Sequence, residues 1–525
     1  MSFFSGLKNY FYNRGAYSSN YRDESFDTKS WQPPRISSDS AILSGAEEVK
    51  YRVSDLVRND GFMKGALQKL SDAAIGSNGL TLNAEVDNLT LSISEDEAES
   101  LNDFIERHWS TYTTASENFV DSTRRHGYAS FLSQAFKTFA ISGGILATIQ
   151  YDTSSPYPAS LQLIDPQRLS NPSCVQSNEN VVRGGIEYDR RGRVVAYWIK
   201  PAELEKDSKI TRTRGSQEAQ RINAFDNQGR KRVIHCFDPD YAENGRGVSL
   251  FAAGVDASKR GHDLARAVMK QAISQSLIAM VIHSDLKSEE AFKTIGNLDN
   301  LSYDQLVASH LQLKEGYYQN NRIQMGDLKA IHLLPNETLK MENAGGVSGE
   351  YAEFAKAHRQ ESAAASGLTY EMFSNDYAGL SFSGGQLSLD ASWRGIEGIR
   401  NRVLTPFLKY LYTAFLETLF INHPEALPDN VSFETHKHAL CKASFFGPPK
   451  PSADARKEAD AAKARLEAGV STYAQEAIRF GHADWRQLKR QQALEKAFDE
   501  ELGLPDFRVF RQDSLDVVNE VVADQ

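Results

Sequence analysis

The sequence is poor in cysteine, in basic charge and in long apolar runs, and each shortage excludes something. Its three cysteines, Cys174, Cys236 and Cys441, stand far apart with no CxxC pair. That suits a reducing compartment and argues against a disulfide framework. The most apolar runs, LIAMVI at 277–282 and YLYTAFLETLFI at 410–421, are too short to span a bilayer, and Glu417 interrupts the second. The N-terminal stretch is too aromatic and too broken for a secretory signal. A soluble product with no membrane partner is expected. A net charge of −10 over 525 residues argues against tight, general binding to phosphate backbones. No GxxxxGK[ST] occurs, so no NTP-hydrolysing loop is expected.

What is present reads as a chain of distinct segments. Residues 1–50 form an N-terminal arm without sustained period, broken by Pro33-Pro34. From 51 to 245 helical patterns such as DEAESLNDFIERHWSTYT and YASFLSQAFKTFAIS alternate with strand patterns. TLNAEV, LTLSI, ILATIQY, SLQLIDP, GGIEYDRRGRVVAYWI and KRVIHCFDP carry the strand signal. This is a mixed α+β unit.

Val248 to about Ile282 has no proline and only two glycines, so one long helix is predicted there. Lys259, Asp263, Arg266 and Lys270 recur at helical spacing and share one face of it. Taken alone, such a stripe reads as a solvated helix face with Asp263 as an internal partner. The insert at 284–345 holds nine acidic and six basic residues in short elements. A second helix follows, GEYAEFAKAHRQESAAASG. A third is predicted from about Leu387 to Asn422, kinked at Pro406. FETHKHALCKASFF reads as a returning strand. From 448 onward Ala alternates with charges, giving a small helical domain with Ser471 and Gln475 as start signals and Gly481 and Gly503 as stops.

Between the second and third helices lies SNDYAGLSFSGGQLSL, residues 374–389, supple and without a basic residue. Gly379, Gly384 and Gly385 permit backbone conformations closed to other residues, so a mobile loop is expected. Gly379-Leu380-Ser381-Phe382-Ser383 imitates a nucleophile elbow, but the second glycine of GxSxG comes one residue late. A hydrolase using Ser381 or Ser383 therefore stands as a rival, with a non-viral helical scaffold protein as another. His436, His438 and Cys441 could suggest a metal. On a strand, however, residue 441 would face away from the other two, and no second cluster supplies ligands. No metal, no cofactor and no catalytic residue is predicted.

Several stretches together resemble the lambda-type phage portal proteins. YRVSDLVRNDGFMKGALQ with IGSNGL is similar to that family's opening helix and glycine turn, and LQLIDPQRLSNP with GGIEYDRRGRVVAYWI to its central strands. VIHCFDPDYAENGRGVSLFAAGVD resembles the approach to a stem helix. FAKAHRQESAAASGLTYEMFSNDYAGLSFSGG resembles a second stem helix running into a tunnel loop. FGPPKPSADARKEADAAKARLEAGVSTYAQEAIRFGHADW is similar to the C-terminal signature. Asn336, Gln386 and Ala455 depart from the family pattern, which favours Gly, Arg and Pro there.

The resemblance implies a portal-type fold in a ring, usually of twelve subunits, at one capsid vertex. It implies a wing at 51–245, stem helices at 246–283 and 346–371, and a clip at 284–345. It further implies a tunnel loop at 372–387, a kinked wing helix and return strand at 388–447, and a crown with its tail at 448–525. The loop residues Tyr377, Gly379, Leu380, Ser381, Phe382, Ser383, Gly384, Gly385 and Gln386 would line the DNA channel. Lys259, Arg266 and Lys270 would face it from the stem, and Glu289, Glu290 and Asp304 would serve docking at the clip. The implied partners are double-stranded DNA passing without sequence specificity, the terminase large subunit, a head–tail connector, the major capsid protein and scaffold. The implied location is the virion, after assembly in the host cytoplasm.

Overall fold

A computed structural model describes residues 36–172, 180–201, 218–277, 281–284, 312, 322–325, 328–331, 337–340, 350–451, 454–480 and 485–503. The chain divides into two compact units. One comprises Met1–Lys259 and Arg359–Gln525, the other Arg260–His358.

The larger unit opens with α1 (Ser38–Asn59) and α2 (Gly61–Ile75). Asp60 makes the break between them. Its N–H donates to Leu56 O at 2.7 Å, closing α1. Its carboxylate accepts from Phe62 N and Met63 N at 2.8 and 3.2 Å, opening α2. The expected arm at 1–50 is thus helical from Ser38 onward; its earlier part lies outside the described residues. β1 (Thr81–Ala84) pairs antiparallel with β13 (Ala443–Phe446). LTLSI, predicted as a strand, instead holds the short helix α3 (Asn88–Leu91), started by the Asp87 side chain accepting from Thr90 N at 3.2 Å. α4 (Glu95–Thr114) begins at a capping box of Ser94 and Glu97, and α5 (Tyr128–Ser142) follows.

β2 (Gly144–Tyr151) lies between β3 (Ala159–Ile164) and β8 (Val233–Phe237) in an antiparallel sheet. A second antiparallel sheet runs in chain order through β4 (Val181–Arg183), β5 (Ile186–Tyr188), β6 (Val194–Ile199) and β7 (Gln220–Asn223). Leu146, Ile164, Ile186, Tyr197 and Val233 form a small core of their own.

α6 (Val255–Leu277) starts seven residues later than the sequence pattern suggested, and the chain is already in β9 (Val281–Ser284) where that pattern ends. At about 1.5 Å per residue its 23 residues run roughly 35 Å. In the smaller unit β9 pairs antiparallel with β12 (Glu337–Lys340), and β10 (Arg322–Met325) with β11 (Leu328–Ile331).

α7 (Glu350–Ala365) returns the chain to the larger unit and leads to α8 (Tyr370–Ser374) and α9 (Phe382–Ile399). One π-helical turn, Arg400–Leu404, separates α9 from α10 (Thr405–Asn422). Pro406, in the first turn of α10, has no N–H to give and would crowd the carbonyl four residues back. The widened turn just before it answers that constraint, so the predicted interruption is present. α10 is buried along most of its length. Trp109 of α4 meets Phe415, Tyr412, Phe445 and Tyr128 at centroid distances of 5.1, 5.7, 6.1 and 6.2 Å. This aromatic cluster ties α4, α5, α10 and β13 into the main core.

α11 (Phe433–Leu440) replaces part of the expected returning strand, which is confined to β13. α12 (Ala455–Glu467), α13 (Tyr473–Arg479) and α14 (Trp485–Glu501) complete the chain as the predicted helical region. Thr472 rather than Ser471 caps α13: its hydroxyl accepts from Gln475 N, and Gln475 Oε1 accepts from Thr472 N, both at 3.3 Å. Gly503 has φ +66° and ends α14 as expected; Gly481 lies outside the described residues. No helix among the described residues is long and apolar enough to cross a membrane.

Candidate functional site

The segment singled out by its composition, 374–389, hangs from a crossing of small residues. A Cβ at Gly254 would meet Ala365 Cβ at 3.1 Å, and the buried hydroxyls of Ser258 and Ser362 lie 2.9 Å apart. The start of α6 and the end of α7 therefore pack nearly backbone to backbone, which leaves little play in where α7 ends. Gly367, at φ +75°, turns the chain out of α7. α8 then packs on α2, with Phe373 stacked on Phe62 at 6.2 Å, and the Arg359 guanidinium lies over the Phe62 ring at 4.4 Å.

Both ends of the following loop are fastened. On the near side, the Lys69 ammonium donates to the Met372 carbonyl and, at 2.5 Å, to Asn375 Oδ1. Burial holds that lysine below its ordinary range. Asn375 takes the left-handed conformation, φ 58°, and its N–H donates to Glu371 O at 2.9 Å, closing α8. On the far side, Ser388 Oγ lies 2.7 Å from Thr369 Oγ1 and 2.8 Å from Glu371 Oε2. Ser392 Oγ accepts from Thr369 N at 3.0 Å.

Only seven residues, 375–381, lie between the two helices. Asp376 organises them, accepting from the Tyr370 hydroxyl and from Ala378 N at 3.1 and 3.2 Å. Tyr377 is exposed, and Gly379 has φ +80° with open space around it. Leu380 is half-buried. Ser381 is the N-cap of α9, its Oγ accepting from Gly384 N at 3.1 Å. Phe382, Ser383, Gly384, Gly385 and Gln386 are therefore helical, a correction to the loop expected across the whole stretch. Of the three glycines, Gly379 alone has a positive φ. Phe382 is 64% exposed, and the Lys457 ammonium of α12 lies 5.7 Å from its ring centroid.

The Ser381 hydroxyl is occupied as a helix cap. Among the described residues, neither Ser381 nor Ser383 hydrogen-bonds a histidine or a carboxylate, so no triad forms at the imitated elbow. Lys259, Arg266 and Lys270 are exposed on α6. Glu289, Glu290 and Asp304 lie outside the described residues. His436 and His438 stand two apart on a helix rather than a strand, and so face different sides. Burial pushes the Cys441 thiol up to about 11, far from a ready thiolate ligand. No metal-holding group of three or more His, Cys, Asp or Glu occurs among the described residues.

The loop's anchors escaped the sequence reading. Lys69 stands about three hundred positions from the carbonyl it holds. Arg400 is equally remote from the α2 carbonyls it caps, Ala74 O and Ala73 O, each at 2.9 Å. Neither carries a local pattern that could have disclosed it.

Residues 25–400 match the family described as phage portal protein, lambda family. The portal protein of Escherichia phage N15 is 25% identical over 471 residues, covering 89% of this chain and 87% of the relative. Portal protein B of Escherichia phage lambda is 25% identical over 476 residues, covering 89% and 86%. A solved structure titled as the neck of an empty gene transfer agent particle aligns with TM-score 0.45 at 13% identity, over 82% of this chain and 93% of that one. With the matched region reaching from the arm through α9, the chain belongs to the lambda family of phage portal proteins.

Proposed function

We propose that this portal protein assembles as a closed ring of twelve at one capsid vertex of the virion, with residues 375–386 lining a channel for genome packaging and ejection. The observation that carries this reading is the loop itself. It is short, exposed and free of basic residues, yet both its ends are fixed by Lys69, Thr369, Glu371 and Ser388. A channel lining must touch a duplex without holding it, because every neutralised phosphate adds affinity through counterion release and a ring multiplies that gain. Compliance has two sources here. One is Gly379; the other is the first turn of α9, where Gly384 and Gly385 each weaken the helix by about 1 kcal/mol relative to alanine.

Lateral contacts between subunits would cover the apolar side chains left open along the two long helices. Met269 of α6 is 62% exposed and Phe354 of α7 57% exposed, more than a lone soluble helix pair needs. Repeated around the ring, Lys259, Arg266 and Lys270 become bands of positive charge that guide the duplex, with Asp263 moderating them. The acidic insert around Glu289, Glu290 and Asp304 is the docking surface for the terminase large subunit and then for a head–tail connector, while the α+β unit meets capsid and scaffold. In this role the chain conducts DNA and performs no chemistry.

Negative-stain images of the purified chain test the assembly. Rings with an axial hole are expected. A monomer that persists across micromolar concentrations, with capsid or scaffold protein present, overturns the reading.

A further inference from the structure

The same turn is built twice, side by side, at one end of the four-stranded sheet. Asp189-Arg190-Arg191-Gly192-Arg193 joins β5 to β6, and Asp226-Asn227-Gln228-Gly229-Arg230 leads from β7 to β8. In each, one oxygen of the leading carboxylate accepts from two N–H groups of the turn. Asp189 takes Arg191 N and Arg193 N at 2.9 and 2.8 Å, and Asp226 takes Gln228 N and Arg230 N at 2.9 and 2.8 Å. The other oxygen accepts from Nε of the closing arginine, at 2.8 Å for Arg193 and 2.7 Å for Arg230. The glycine before that arginine stands at φ +77° in both turns, a conformation that favours glycine. Ala224 N donates to Val195 O at 2.8 Å, so the end of β7 meets the start of β6 and the two turns are neighbours.

They differ in what they face. Arg230 settles on its own chain, with Glu417 Oε1 of α10 at 3.5 Å and the Tyr151 ring centroid at 5.5 Å. Lys231, next to it, lies 3.7 Å from the Tyr410 centroid. In the first turn residues 190–193 are all exposed, with 73% of the Arg193 side chain open to solvent. Where the second turn carries Asn227 and Gln228, the first carries two more arginines. Arg232, just past the second turn, is exposed as well. Six basic residues across 189–193 and 226–232 thus meet three acids, Asp189, Asp226 and Glu417, on a chain whose net charge is −10.

The density of that charge selects the partner. Neighbouring strands lie about 4.8 Å apart, so two adjacent hairpin turns span roughly 10 Å. Over roughly 10 Å of axis a duplex carries about six phosphate charges. A folded protein surface, about one-quarter charged and of both signs, does not match that. Arginine's planar fork also fits a phosphate with two hydrogen bonds. We propose that the paired turns form a second, sequence-indifferent surface for duplex DNA, outside the channel. Arg190, Arg191 and Arg232 meet phosphates, while Arg193 and Arg230 hold the turns in shape. The placement outside the channel rests on the reading above: a ring of such patches inside it would grip the duplex that the loop at 375–386 lets slide.

Relaxed, covalently closed plasmid tests this, because a circle has no end to thread through a ring. Binding of the full chain is read by filter retention at about 50 and about 200 mM salt. The parent should retain the circle, and less of it at the higher salt. Arg190→Gln with Arg191→Gln and Arg232→Gln should weaken binding about tenfold at the lower salt and flatten the log–log salt slope by roughly 3. Arg190→Lys with Arg191→Lys and Arg232→Lys should keep most of that slope. All three side chains are exposed, so an unchanged circular dichroism melt certifies the fold of each variant. A control that removes three exposed bases elsewhere, Arg52→Gln, Arg58→Gln and Lys64→Gln, should leave binding nearly unchanged. A parent that does not retain the circle, a glutamine variant that binds as the parent does, or a control that loses as much would each overturn the proposal. So would displacement of the circle by poly-glutamate at equal charge, which would assign the surface to an acidic protein. None of these readouts depends on whether rings form.

Discussion

The surroundings of Trp109 and the loop at 375–381 show opposite ways of using the same kinds of residue. Around Trp109, aromatic rings from four elements meet edge to face, and Tyr112, Tyr412 and Phe415 are almost wholly buried. Each side chain is fixed by several others, so the position of α10 is set many times over. Tyr377 in the loop and Phe382 at the start of α9 are aromatic too, yet more than half of each is open to solvent. The bonds that fasten the loop to α2 and α9 lie where it starts and stops. Packing sets the shape of the first region, whereas a few hydrogen bonds from Lys69, Ser388 and Ser392 fasten the ends of the second.

Substitutions that breach the buried side should have the largest effects. Trp109→Ala removes the hub of the aromatic cluster and should cost about 3–5 kcal/mol of stability, read as a lower denaturant midpoint. Arg400→Met comes next. The Arg400 guanidinium is buried and donates to Ala73 O, Ala74 O and Pro448 O, and a thioether would leave those carbonyls without a donor. A loss of about 1–3 kcal/mol is expected, with faster amide exchange at the end of α2.

A smaller and pH-dependent effect is expected in the C-terminal helices. Arg465 holds the Glu476 carboxyl down to about 2 through a two-pronged hydrogen bond of 2.9 Å on each side. A carboxyl depressed in the folded state contributes stability that is present above its ordinary value of about 4.3. That contribution is lost as the pH falls through the folded value near 2. Glu476→Gln should therefore speed amide exchange in α12 and α13 at pH 7, and the difference from the parent should shrink steadily below about pH 4.

The buried side was also the more legible in the sequence. The helices α4 and α5 and strands β2, β3, β6 and β8 stand where their apolar periods put them, because burial of one face is what writes the period. The failures cluster where another force prevailed. LTLSI alternates like a strand, but the Asp87 cap starts a helix at its first residues. FETHKHAL was expected within a returning strand, yet it forms α11, which bends at His436. The glycine pair at 384–385 reads as loop by propensity; the Ser381 cap and the anchoring of Ser388 and Ser392 on Thr369 carry the helix through it. Capping and distant tertiary bonds leave no periodic trace, which is why the loop was found by its composition while its ends were misplaced.

The length of genome packaged by particles carrying loop variants tests the central claim most directly. Ser381→Ala removes only a helix cap, worth about 1 kcal/mol, and Ser383→Ala removes an exposed hydroxyl; both should package full-length DNA. The double variant Ser381→Lys with Ser383→Lys adds a ring of phosphate-binding charge. It should leave assembly intact but shorten the packaged genome, with partial recovery at higher salt. Equal lengths for the parent and the lysine variant, in particles with normal portals, would contradict the account.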